Sequence, residues 1–292
     1  MRIASLLPSA TEIVFALGAQ DELVGVTFEC DFPAEARQGR AILVGGLDTA
    51  GLDAAAIDEL VRSKVAAGQE LYTLDDAAVH RLQPDVVLTQ DLCRVCALPA
   101  GAVDAALDRL GCDAAVITLD PHTLDDVLAT VEAVGDAIGR RAEAAALLAG
   151  LRARLDAVAA AVADRRRPSV FVLEWPDPPF VAGHWVPELV ERAGGRAVLA
   201  RAGQRSVETT WEQVSAAAPE VVVVASCGYD LDATAAHAEQ VAHRFPSGVA
   251  VWAVDANAVM VRPGPRLVDG VEALAALLHG GRPSPALVRR IG

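Results

Sequence analysis

A chain of 292 residues is long enough for two lobes of ordinary domain size, each with its own core. Hydrophobic residues make up 53% of it and aromatics only 4%, which suits alanine-rich helices packed on sheets. The net charge of −14 argues against nucleic acid or an anionic membrane as main partner, and no run of about 18 apolar residues marks a transmembrane segment.

Ile3–Leu7 reads as a buried strand stopped by Pro8-Ser9. Ser9 followed by Glu12 has the spacing of a capping box, and Ile13, Val14 and Leu17 continue at helical spacing to Gly18. A strand–loop–helix unit of this kind points free backbone N–H groups into whatever cleft it borders. Leu23–Thr27, Val86–Thr89 and Ala114–Thr118 read as further strands, and Asp53–Ala67, Asp75–Leu82 and Leu98–Leu110 as helices. Leu124 to about Ile138 is an amphipathic helix broken near Gly139. A second helical stretch then runs to Asp164 and is stopped by Pro168; its 25 or so residues would span about 37 Å, a stiff strut between two lobes.

The second half restarts with the strand Ser169–Leu173 and continues with helices over Pro187–Ala193 and Trp211–Ala218. Strand 221–224, a helix from about Ala233 to His243, strand Val249–Val254 and a helix from Arg266 to His279 complete it. Pro84-Asp85-Val86-Val87 and Pro219-Glu220-Val221-Val222 form a weak internal repeat, consistent with two similar α/β lobes. The expected divisions are 1–122, a helical segment 123–167, and 168–292.

Chemistry-bearing residues cluster in the loops after strands, where ligands of such sheets bind. They are Ser9, Glu29, Cys30, Gln90 and Asp91 in the first half, and Glu174, Trp175, His184, Trp185, Asp255 and Arg262 in the second. Cys93 and Cys96 form a CxxC pair that, with Cys30 and with Cys227 as a further donor, could hold zinc or an iron–sulfur cluster. A redox-active pair and plain structural cysteines are the alternatives. The remaining histidines (His80, His122, His237, His243 and His279) are expected to face solvent. No Gly-x-Ser-x-Gly elbow, phosphate-binding glycine loop or His-Glu-x-x-His is present.

Leu7-Pro8-Ser9-Ala10-Thr11-Glu12, Gly25-Val26-Thr27 leading into Cys30-Asp31-Phe32-Pro33, and Leu82-Gln83-Pro84-Asp85-Val86-Val87 carry a family resemblance. Pro179-Phe180-Val181-Ala182-Gly183, Trp211-Glu212-Gln213-Val214 and Arg262-Pro263-Gly264-Pro265-Arg266 extend it over nearly the whole chain. In their order and spacing these motifs resemble the helix-hinged substrate-binding proteins of ABC importers, especially the cobalamin-binding branch. The resemblance implies two Rossmann-like α/β lobes joined by a long backbone helix, with a metal chelate such as a corrinoid, haem or siderophore bound between them and no turnover. It also implies that Asp75 and Glu212 dock to a membrane permease.

Three readings stay open: a solute-binding protein for a corrinoid or other metal chelate, possibly feeding an ABC importer; a cytosolic metalloprotein whose Cys30/Cys93/Cys96 site does redox or enzymatic work; and an interaction protein that keeps the fold but has lost its ligand. The sequence as written starts without a signal peptide, so a cytoplasmic location is expected. A trimmed or misassigned start would make it periplasmic or cell-surface.

Overall fold

The computed structural model of the chain describes residues 1–91 and 100–291. These residues fall into two compact units. One comprises Met1–Pro121 with Leu128–Ala149, the other His122–Val127 with Gly150–Gly292. Residues 123–167, expected to form a segment of their own, are shared between the two.

The first unit runs β1 (Ile3–Ser5), α1 (Pro8–Ala16), β2 (Leu23–Thr27), β3 (Ala41–Gly45), α2 (Ala54–Ala66), β4 (Thr73–Leu74), α3 (Asp76–Leu82), β5 (Val86–Thr89), α4 (Ala100–Leu110) and β6 (Ala115–Thr118). Its sheet has the order β4-β3-β2-β1-β5-β6, parallel except for β4 at one edge. The central strands are buried along their length, as the continuous apolar runs at Ile3 and Val86 require. Ala4, Leu6, Leu43, Val87, Val103 and Leu107 share one core.

Helices α5 (Leu124–Ala137) and α6 (Arg141–Val162) follow. Gly139 has φ +70, a left-handed turn that a glycine makes at no steric cost. The two helices then approach so closely that a Cβ on Gly135 would lie 2.5 Å from that of Ala144. Farther along α6, the Arg154 guanidinium holds Glu272 with both carboxylate oxygens (2.8 and 2.6 Å) and also pairs with Asp269, the fork geometry that arginine favours.

The second unit contains β7 (Ser169–Pro176), β8 (Pro179–Val181), α7 (Val186–Arg192), β9 (Arg196–Ala197), β10 (Val207–Glu208), α8 (Trp211–Ala217), β11 (Val221–Val224), α9 (Leu231–Ala242), β12 (Ala250–Val254), α10 (Ala256–Val259), α11 (Leu267–Leu278) and β13 (Val288–Ile291). Its strand order is β10-β8-β7-β11-β12-β13, with β9 pairing to β7. Strands β7, β11 and β12 are parallel and in register, Leu173 opposite Val224 and Val224 opposite Ala253. β13 returns antiparallel along β12, pairing Val254 with Val288 and Val251 with Ile291, and its Arg289 pairs with Asp232 at 2.6 Å. Phe171, Leu173, Val222, Val251 and Ala253 form the core with the inward face of α9.

Helix starts follow side-chain chemistry. Asp53, Asp75, Asp230 and Asp255 each accept a hydrogen bond from the backbone N–H three residues on, and Thr210 with Gln213 makes a full capping box. The box expected at Ser9 and Glu12 does not form. Leu7 is the extended cap residue and makes no side-chain bond, while Pro8 occupies the first helical position, its φ already preset. Both Ser9 and Glu12 are buried inside α1.

Candidate functional site

In the second unit the loops that leave β7 and β11 run side by side. The N–H of Ala225 donates to Leu173 O (2.9 Å) and that of Cys227 to Glu174 O (3.0 Å), which carries the strand pairing past the end of β11. Gly228, at φ +88, then turns the chain and brings Tyr229 over β7. The Tyr229 ring lies 5.8 Å from that of Trp175 and 4.8 Å from that of His237, and His237 lies 6.4 Å from Trp175. His237 meets both rings edge-on, a favoured aromatic geometry. All three side chains are half-buried.

Backbone and buried polar groups hold these rings in place. Trp175 Nε1 donates to Asp177 O at 3.1 Å, and His237 Nδ1 lies 3.0 Å from the hydroxyl of the fully buried Ser226. That contact ties up one ring nitrogen and leaves Nε2 to face other chemistry. Burial lowers the His237 pKa and raises that of Tyr229, so near neutral pH the cluster consists of a neutral imidazole, a protonated phenol and an indole.

Acidic and basic groups lie on neighbouring loops. Glu174 is half-buried at the end of β7. Asp255 caps α10, and burial lifts its carboxyl above the ordinary range despite the nearby Arg266 and Arg262. His184 sits at φ +51, its N–H bonded to Gln204 O. Trp185, expected to stack on a ligand, is buried and donates Nε1–H to Met260 O at 2.8 Å; as placed, it is packing within the unit.

The first unit brings a different set together. Ser5 donates to Leu7 O (2.9 Å), Thr11 donates to Ser5 (2.9 Å), and Cys30 Sγ lies 3.1 Å from Thr11 Oγ1 and 3.5 Å from Thr27 Oγ1. Thr11 Oγ1 also reaches Leu7 O at 3.4 Å, and in the two sulfur contacts either partner can donate. Cys30 is therefore a buried, hydrogen-bonded thiol as placed. Gln90 is buried, Glu29 is half-buried with its N–H on Thr27 Oγ1, and Asp91 is exposed.

Cys93 and Cys96 lie outside the described residues. Cys227 is half-buried just beyond β11. Among the described residues no three or more His, Cys, Asp or Glu are grouped to hold a metal ion. Asp75 and Glu212 are both exposed at helix starts, Asp75 as the cap of α3.

Tyr229 and His237 were not singled out from the sequence, and His237 was expected to face solvent. Its position on α9, between the buried Thr234 and Ala238, is the signal that places it on the inward stripe. His122 and His279 are likewise half-buried, whereas His80 and His243 are exposed as expected.

The model of the periplasmic binding protein family matches residues 3–247. The vitamin B12-binding protein of Vibrio cholerae serotype O1 is 25% identical over 292 residues, covering 95% of this chain and 88% of that protein. An uncharacterized ABC transporter substrate-binding lipoprotein of Bacillus subtilis is 25% identical over 295 residues, covering 95% of this chain and 80% of that protein. Among solved structures, a periplasmic heme binding protein from Pseudomonas aeruginosa matches with a TM-score of 0.71 at 24% identity, over 100% of this chain and 98% of that one.

Proposed function

Because the chain belongs to the periplasmic binding protein family, we propose that it captures a metal chelate of the corrinoid or haem class and hands it to an ABC importer without chemical turnover. The observation that carries this reading is the half-buried ring cluster of Trp175, Tyr229 and His237. Neutral aromatic faces and edges gain contact area with a flat macrocycle at little cost in desolvation. The neutral His237 ring adds a nitrogen suited to a metal or to a hydrogen bond. Glu174, Asp255 and Arg262 supply polar groups for the periphery of such a ligand.

Solute capture for import takes place outside the cytoplasmic membrane. The relatives, one a vitamin B12-binding protein and one an ABC transporter substrate-binding lipoprotein, support a periplasmic or cell-surface location. The cytoplasmic expectation finds no such support. Asp75 and Glu212, one on each unit, are the acidic contacts we assign to the permease, since both are exposed. The alternative of a cysteine-built metalloenzyme is not favoured by the described residues, among which no three or more His, Cys, Asp or Glu are grouped to hold a metal ion.

Titration of the protein with hydroxocobalamin, hemin and a ferric siderophore, followed by quenching of tryptophan fluorescence, tests the reading. Saturable 1:1 binding of one of them, weakened by Trp175→Ala, is the expected result. A folded protein that binds none of the three overturns it.

A further inference from the structure

We propose that His122 and His184 form a two-imidazole site for a late first-row divalent ion, of the Ni²⁺, Cu²⁺ or Zn²⁺ type, with water in the remaining positions. The pair shares no residue with the ring cluster, and the inference does not depend on chelate capture.

The two ring centroids are 6.1 Å apart, with planes inclined by 38°. That lies within the range of ordinary aromatic pairs and is also close to what a shared ion requires. A metal about 2.0–2.1 Å from one nitrogen of each ring lies about 3.2 Å from each centroid, so the centroids sit about 5.2 Å apart at a tetrahedral angle and about 6.4 Å apart when opposed. The observed separation falls between these limits, and imidazole nitrogen suits this group of ions.

The spacing is braced from both sides. The His122 N–H donates to Asp126 Oδ2 (3.0 Å), which also accepts from the Thr123 N–H (2.9 Å), while the Asp126 N–H donates to Thr123 Oγ1 (3.1 Å). On the other side, the His184 N–H donates to Gln204 O (2.5 Å) and the His184 carbonyl accepts from the Gly203 N–H (3.0 Å). A Cβ on the preceding Gly183 would collide with the backbone of Arg205 and Ser206, so this loop has one close-packed course. Trp185, anchored on Met260 O, flanks the His184 ring at 5.6 Å. The two segments are also cross-linked: the Leu124 N–H donates to Glu188 Oε2 at 2.5 Å, two residues beyond His122 and four beyond His184. Both histidines are half-buried, which limits competition from bulk water. Left-handed backbone at a histidine is uncommon, and here it belongs to an imidazole that lies beside a second one.

The test is calorimetric titration of NiCl₂ into the metal-free full-length protein, with the variants His122→Gln and His184→Asn. Asparagine tolerates the left-handed backbone at position 184, and circular dichroism checks that each variant is folded. One Ni²⁺ per chain is expected, with Kd raised about tenfold or more in each variant. No binding by the wild type overturns the proposal. So does binding of unchanged affinity in His122→Gln, which alone decides the matter should His184→Asn not fold.

Discussion

The two units treat polar side chains in opposite ways. In the first, Ser5, Thr11, Thr27 and Cys30 are buried and bond to one another and to nearby backbone. In the second, Trp175, Tyr229 and His237 are half-buried, and backbone and Ser226 hold Trp175 and His237 in place. A saturated interior cluster contributes to folding. A half-open one is fixed in place yet still has contact energy to give to a ligand. Residue type alone does not separate these roles, since both clusters lie at strand ends.

Substitutions in each cluster should separate binding from stability. The largest effect is expected from Trp175→Ala, which removes a central aromatic contact and should weaken hemin or hydroxocobalamin binding by about 2 kcal/mol, roughly thirtyfold, with little change in thermal stability. Thr11→Val should do the reverse. It removes the hydroxyl that Ser5 and Cys30 share and should cost about 1–2 kcal/mol in urea unfolding, with ligand Kd within about twofold. An equal loss of binding in both variants would erase the contrast.

Smaller effects concern ionisation. The folded state favours the protonated form of Asp255, because burial lifts its pKa. Ionisation of Asp255 therefore destabilises the fold as pH rises from the ordinary carboxylate value, about 4, through the raised one. Asp255→Asn keeps an acceptor for the Ala258 N–H and should melt a few degrees higher than wild type at about pH 7, the difference vanishing near pH 3. A lower melting point at pH 7 would show that the carboxylate charge is used within the fold. The smallest effect belongs to His237, whose pKa burial lowers. Wild type should lose stability as pH falls below about 6.5 toward the folded value, and His237→Gln should lose less. Identical melting curves at pH 7.5 and 5.5 for the two proteins would place His237 in a more hydrated setting.

The strongly periodic elements were legible in the sequence. β1, β5 and β11 follow from apolar runs, and α3, α5, α8 and α11 match within about two residues. The carboxylate caps Asp53 and Asp75 also stand at the starts of expected helices, whereas those at Asp230 and Asp255 were not anticipated. Edge strands were not legible: β4, β9 and β10 have two residues each, and β13 reads Val-Arg-Arg-Ile. Such segments are defined by their neighbours rather than by their own pattern. Within the site, Glu174 and Trp175 stood out because they end a strand. Tyr229 and His237 did not, because their proximity depends on the turn at Gly228 and on the rotation of α9. Trp185 carried a binding residue's composition but a core residue's place, a distinction set by the Met260 carbonyl.

The return of β13 along β12 also bears on how the protein can be handled. β12 reads Ala-Val-Trp-Ala-Val, an uncharged, β-prone segment whose free edge would template addition of another chain. β13 covers that edge and turns two arginines outward as gatekeepers, Arg289 paired with Asp232 and Arg290 lying over the Trp252 ring at 5.9 Å. Trimming residues 288–291, or straining them with a rigid fusion, would trade a covered edge for a sticky one, and insolubility would follow well before any loss of ligand binding.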